Sequence, residues 1–192
     1  MKQAILGTIL TVASAFAQSV TIPVTYANLA NVPERTLRAA LKSASATFSN
    51  AGVEIAWIDC TAVDLNLSGH CRFDDPMRFR LTFKNSDSFR EETLGFAYPN
   101  IGHGNRAAIA YSNVKRFASE HATIVSEELV LAAAVTHELG HLFLWTKEHG
   151  HGVMMAKWDK QNLKKLAQRR LGFSSVQAGE LRSALESRRG VN

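Results

Sequence analysis

His137-Glu138-Leu139-Gly140-His141 is the stretch on which the reading of this chain turns. It has the form HExxH. On a helix, residues four apart lie one above the other, so both imidazoles reach one metal ion. The glutamate between them is placed to act on a water activated by that metal, not on the metal itself. Glu127 to Val135 is rich in Ala, Leu and Glu, which are strong helix formers. Ser126 stands as the N-cap, and Glu127 and Glu128 complement the helix dipole in the first turn. The expected helix runs from there to about Leu144. The bland account is two ordinary histidines on a core or surface helix. The helical context favours a metal site over it.

A catalytic zinc takes three protein ligands and keeps a fourth position open. HExxH gives two, His137 and His141. The candidates for the third are Glu148, His149, His151, Asp159 and Glu180. On an uninterrupted helix His149 would lie about 12 Å beyond His141 along the axis, out of reach. The helix must therefore stop and the chain fold back. Gly150 and Gly152 offer the turn. His149 is the expected ligand, with His151 and then a downstream carboxylate as the alternatives.

HELGH, a later histidine and then Gly152-Val153-Met154-Met155 together resemble the metzincin class of zinc metallopeptidases. The resemblance implies a methionine in a tight turn beneath the metal, a place for Met154 or Met155. Leu94-Gly95-Phe96-Ala97-Tyr98-Pro99, the Gly102-His103-Gly104 loop and Ala107 to Tyr111 look like the matrixin-type region before the active-site helix. The chain beyond its first residues is similar to small secreted bacterial proteins with HExGH, a delayed histidine and a Gly-Ile-Met turn. Two positions depart from the family's HExxHxxGxxH. Leu144 stands where its glycine would be, and Lys147 where its third ligand would be. The turn is expected about two residues late.

The pattern on either side fits an α+β chain. Val20 to Tyr26 reads as a strand, and Pro33 opens a helix with Leu37, Leu41, Ala44 and Phe48 on one face. Val53 to Asp59 alternates as a second strand, which favours a parallel pair with a right-handed crossover. Arg78 to Lys84 gives a third strand. Asn85 to Asn105 is irregular, and Ala107 to Tyr111 is short and β-compatible. After the motif, Asp159 caps a helix from Lys160 to Arg170, and Ser174-Ser175-Val176-Gln177 has capping-box form and opens a last helix to about Ser187. The expected fold is zincin- or metzincin-like. A small twisted mixed sheet packs on a long backing helix and on the HExxH helix, and the C-terminal part is helical.

The chain has 192 residues, 46% of them hydrophobic and 20% charged, which suits one globular domain. Lys2 followed by the apolar run Ala4 to Phe16 reads as a signal peptide, and Ala15-Phe16-Ala17 has the form of its cleavage site. The expected division is 1–17 signal peptide and 18–192 catalytic domain, with Gln18 as the mature start. Export makes Cys60 and Cys71 a disulfide pair, worth roughly 3 kcal/mol by the closure of a loop of that length. The net charge is +5, with the excess on late helices. Solvated helix faces account for it. Aromatic interleaving of the kind that stacks bases is absent, so no nucleic-acid partner is expected. No membrane association is expected after signal cleavage, and the chain is expected to be a secreted or periplasmic monomer.

The activity these features imply is that of a secreted zinc-dependent metallopeptidase acting on a peptide or protein substrate. His137, His141 and His149 hold Zn2+, and Glu138 is the general base. Resemblance to zincins implies that an extended substrate pairs with an exposed edge strand near Ala107 to Tyr111. Tyr98, Tyr111 and His103 are candidates to assist the oxyanion, against a plain packing or loop role for each. A zinc amidase acting on a non-peptide amide and a non-catalytic zinc-binding protein stay open as alternatives. A closed four-ligand site would favour the last, while Glu138 argues against it.

Overall fold

A computed structural model describes residues 20–62, 71, 78–85, 90, 92–99 and 105–189. The segment read as a signal peptide, and His103 with its flanking glycines, lie outside the described residues. The first half builds the sheet. Strand β1 (Val20–Asn28) is followed by helix α1 (Glu34–Ser49) and strand β2 (Val53–Asp59). Strands β3 (Phe79–Lys84), β4 (Gly95–Tyr98) and β5 (Asn105–Ala110) complete it. Helices α2 (Tyr111–Glu120), α3 (Glu127–Leu144), α4 (Lys160–Ala167) and α5 (Ser175–Arg189) follow.

The sheet order is β2-β1-β3-β5-β4. The first three pairings are parallel, and β4 runs antiparallel to β5. This corrects one expectation. The strand at Ala107 to Ala110 is not an edge, because β3 and β4 pair with both its sides. Among the described residues the edge on that side is β4, four residues long, inside the stretch expected to be irregular. Helix α2 was also unforeseen. It starts directly from β5, with no side-chain cap on its first turn.

Period-two burial explains the sheet. Val20, Ile22 and Val24 of β1 and Phe79, Leu81 and Phe83 of β3 are buried. On α1, Leu37, Ala40, Leu41, Ala44 and Phe48 face the core, while its charged residues face out. Phe143 of α3 packs against Phe48 at 5.2 Å and Phe79 at 4.6 Å between ring centroids, so one aromatic cluster joins α1, α3 and the sheet. Gly52 turns α1 into β2 at φ +81°, and Arg182 of α5 donates to the Ala51 carbonyl in that turn at 2.8 Å. Cys60 and Cys71 are joined in a disulfide. No helix among the described residues is long and apolar enough to cross a membrane.

The late caps follow the sequence pattern. Asp159 accepts from the Asn162 amide at 2.8 Å, and the Asn162 side chain accepts from the Asp159 amide. Ser174 and Gln177 form the reciprocal pair at the start of α5.

Candidate metal centre

Helix α3 carries the motif through the middle of the molecule. Its residues Leu129 to Phe143 are all buried. His137 and His141 therefore sit inside the protein, 9% and 6% exposed. The Nδ1–H of His137 donates to the Val153 carbonyl at 2.8 Å. That of His141 donates to the Thr146 carbonyl at 2.9 Å. These bonds fix the tautomers and leave both Nε2 atoms as lone-pair donors. The two Nε2 atoms lie 3.0 Å apart. Burial pushes the His137 pKa down to about 4 and lowers that of His141, so neither ring carries a proton at Nε2 near neutral pH. Two lone pairs facing each other across 3.0 Å repel unless a cation lies between them.

His149 completes the group. One ring nitrogen from each of His137, His141 and His149 lies within 4.8 Å of the other two. The His149 ring stands 5.2 Å from that of His137 and 5.0 Å from that of His141. Unlike its partners, His149 is exposed and belongs to a loop. Helix α3 ends at Leu144. Trp145 then takes the left-handed conformation, with φ 55° and ψ 41°, and turns the chain back. The other ligand candidates do not join the group. His151 precedes a short 3-10 turn, Gly152–Met154, and Asp159 caps α4. Glu148 is exposed, with its amide bonded to Thr146 Oγ1, and Glu180 lies on α5. The donor set is three imidazoles gathered within reach of one ion, which suits zinc.

Two glycines allow the close approach of the segment under α3. A Cβ at Gly140 would lie 2.5 Å from Met154 Sδ, so Met154, buried, packs directly against the motif. Met155 instead lines the cleft. Gly152 has φ +62°, and a Cβ there would come within 2.1 Å of the Gly172 carbonyl oxygen. The turn is thereby locked against the loop before α5.

Glu138 lines a cleft of about 1280 Å³ together with residues of β4 and of the segment after the 3-10 turn. Leu94, Phe117, Ala134 and Trp158 are among its walls. Burial pushes the Glu138 pKa up to about 8. Its side chain rests against β4: a Cβ on Gly95 would be 2.7 Å from Glu138 Cγ and 2.9 Å from Oε1. Of the residues considered for oxyanion assistance, Tyr111 is committed elsewhere, its hydroxyl donating to Glu127 at 2.6 Å. Tyr98 is 60% exposed on the edge strand. Gly95 carries no site signal of its own in the sequence beyond its place in the Leu94 to Pro99 stretch. A glycine among apolar strand residues marks a close approach, and here the approaching group is the Glu138 side chain.

No family model matches the chain, and no curated protein matches it in sequence. Its fold is similar to that of archaemetzincin (amzA) from Methanopyrus kandleri, whose crystal structure was determined at 1.5 Å. The TM-score is 0.53 over 91% of this chain and 99% of that chain, at 14% identity. The chain has an archaemetzincin-like fold. At that identity the likeness is one of architecture. The mixed sheet and five helices of the described residues agree with the α+β expectation.

Proposed function

We propose that this protein is a secreted zinc-dependent metallopeptidase. One observation carries the reading. Three imidazoles gather within reach of one ion beside a buried glutamate, in a cleft bordered by an antiparallel edge strand. A structural metal site has no need of a base, and Glu138 is held in the cleft without a salt bridge among the described residues.

His137, His141 and His149 would hold the metal. When bound, zinc supplies Lewis-acid polarisation of the scissile carbonyl and makes a water molecule more acidic. The protein's own part is positional and protonic. The Val153 and Thr146 carbonyls hold two imidazoles in the ligating tautomer. Glu138 takes a proton onto its carboxylate and delivers it to the leaving amine. A nearby divalent cation favours the ionised carboxylate and opposes the effect of burial. The outer edge of β4 offers backbone groups to an extended peptide. The apolar walls around Phe117 and Trp158 give its side chains contact and exclude water.

Export fits the disulfide, since such bonds persist in oxidising compartments. The test of the activity is Glu138→Gln. Both proteins should bind one zinc, and the variant should lose cleavage of a casein-type substrate by several orders of magnitude. Equal cleavage by the two removes Glu138 from its role. Cleavage of cell-wall fragments alone by the parent would favour the amidase.

A further inference from the structure

Leu144 occupies the place where the sequence pattern expects a glycine, and the reversal falls instead on Trp145. Trp145 adopts a backbone conformation that L side chains take reluctantly, with φ 55°. Everything on the metal side of the helix end depends on that reversal. The Thr146 amide donates to the His141 carbonyl at 3.2 Å. The Thr146 carbonyl receives the Nδ1–H of His141 at 2.9 Å. Three residues later His149 meets the two helix histidines.

A side chain from the last helix grips the same place. Arg188 Nη2 donates to the carbonyls of Leu142 and Phe143, at 3.2 and 3.3 Å. These are carbonyls of the final turn, which have no partner within the helix. Its guanidinium lies 4.1 Å from the centre of the Trp145 ring and 5.6 Å from that of Phe79. A cation there also complements the negative end of the helix dipole. Arg188 is half-buried, and among the described residues no carboxylate pairs with it. Its Nη1 atom is buried without a hydrogen-bond partner among the described residues. An exposed lysine or arginine on a solvated face needs none of this. A guanidinium kept partly out of water without a counter-ion is held by what it grips, and burial draws its pKa down to about 10.

We propose that Arg188 is a positioning residue of the metal centre. By clamping the last carbonyls of α3 and the Trp145 ring, it stabilises the reversal that orients His141 and delivers His149. The proposal rests on the metal-binding part of the function proposed above. It assigns the last helix a task in metal affinity, which nothing else in the molecule assigns to it.

Two substitutions test it, with zinc affinity read by chelator competition and ligand geometry read from the absorption of the cobalt-substituted protein. Arg188→Met keeps the length and apolar stem of the side chain and removes its donors. It should weaken zinc binding about tenfold or more and alter the cobalt spectrum. Trp145→Gly should bind zinc like the parent, because glycine adopts the reversal unaided. The double variant Trp145→Gly/Arg188→Met should recover the affinity of Trp145→Gly alone. A purely structural role in docking the last helix predicts no such rescue. Parent-like zinc binding by Arg188→Met overturns the inference alone, as does a double variant no better than Arg188→Met. If Arg188→Met does not fold, the double variant decides: a folded, zinc-binding protein supports the clamp, and an unfolded one overturns it. A parent that binds no zinc overturns the metal reading and the inference together.

Discussion

Gly95→Ala isolates the contact that fixes where Glu138 sits. The added Cβ would lie 2.7 Å from Glu138 Cγ and 2.9 Å from the Ala108 carbonyl oxygen. Ala108 belongs to β5, which is paired on both sides, so its carbonyl cannot retreat. Glu138 must move instead. Gly95 has no positive φ, so the cost is one of space and not of backbone strain. Overpacking of this kind costs about 1–3 kcal/mol of stability. A catalytic group moved by about 1 Å costs about a hundredfold in rate. Gly95→Ala should therefore lower kcat about a hundredfold on a quenched peptide substrate. Zinc affinity should be unchanged, because the Cβ meets no histidine. Combined with Glu138→Gln it should cost nothing further, since both act through one carboxylate. A variant with parental kcat and a parental melting curve would refute the argument that β4 fixes the base. A variant that loses zinc would show that the strand supports the histidines instead.

Stability of the metal-free protein should depend on pH through Glu138. Its folded pKa of about 8 lies above the ordinary 4.5, so the group favours the fold most below pH 4.5, and that contribution is lost as pH rises toward 8. In chelator, Glu138→Gln should melt above the parent at pH 7, by about 3 kcal/mol in stability, with the gap widening from pH 4.5 to 8. Parallel pH profiles for the two proteins would remove the burial argument. Replacing Cys60 and Cys71 by serine should cost about 3 kcal/mol and lower Tm by about 6–12 °C, with an unchanged zinc affinity by chelator competition. Coincident melting curves for the bridged and serine proteins would mean that the closed loop adds nothing.

The parts legible in the sequence were those with local signals. Helix α3 begins at Glu127 and ends at Leu144, the bounds its composition and motif imply, with Ser126 at the N-cap position in extended conformation but without the side-chain hydrogen bond of a cap. Asp159 and the Ser174–Gln177 pair stand at helix starts because each cap is written within four residues. The turn that groups His149 with the helix histidines was reachable by an elementary argument: helix rise forbids a straight continuation, so the chain had to fold back for any later histidine to come near. What stayed hidden is non-local. Strand β4 has four residues, one of them glycine, and exists because β5 pairs with it. Its edge position cannot be read without knowing the sheet order. Helix α2 does show helical spacing at Tyr111, Val114 and Ala118, but no turn or side-chain cap separates it from β5. Arg188 looked like one more charge on a solvated face. Its half-burial is set by Trp145 and Phe79, remote in sequence and adjacent in space.

Helix α3 has almost no free surface, and that divides the molecule into a part that can drift and a part that cannot. All but Glu127, Glu128 and Leu144 of its residues are buried. Away from the cleft a substitution there meets packed neighbours, so inherited change has little room. The strap at 92–94 and the segment Met155–Trp158 also face the cleft, yet they are loops that carry little of the core. Divergence in what such a protein accepts as substrate would therefore accumulate on the two lips of the cleft, while the helix between them stays as it is.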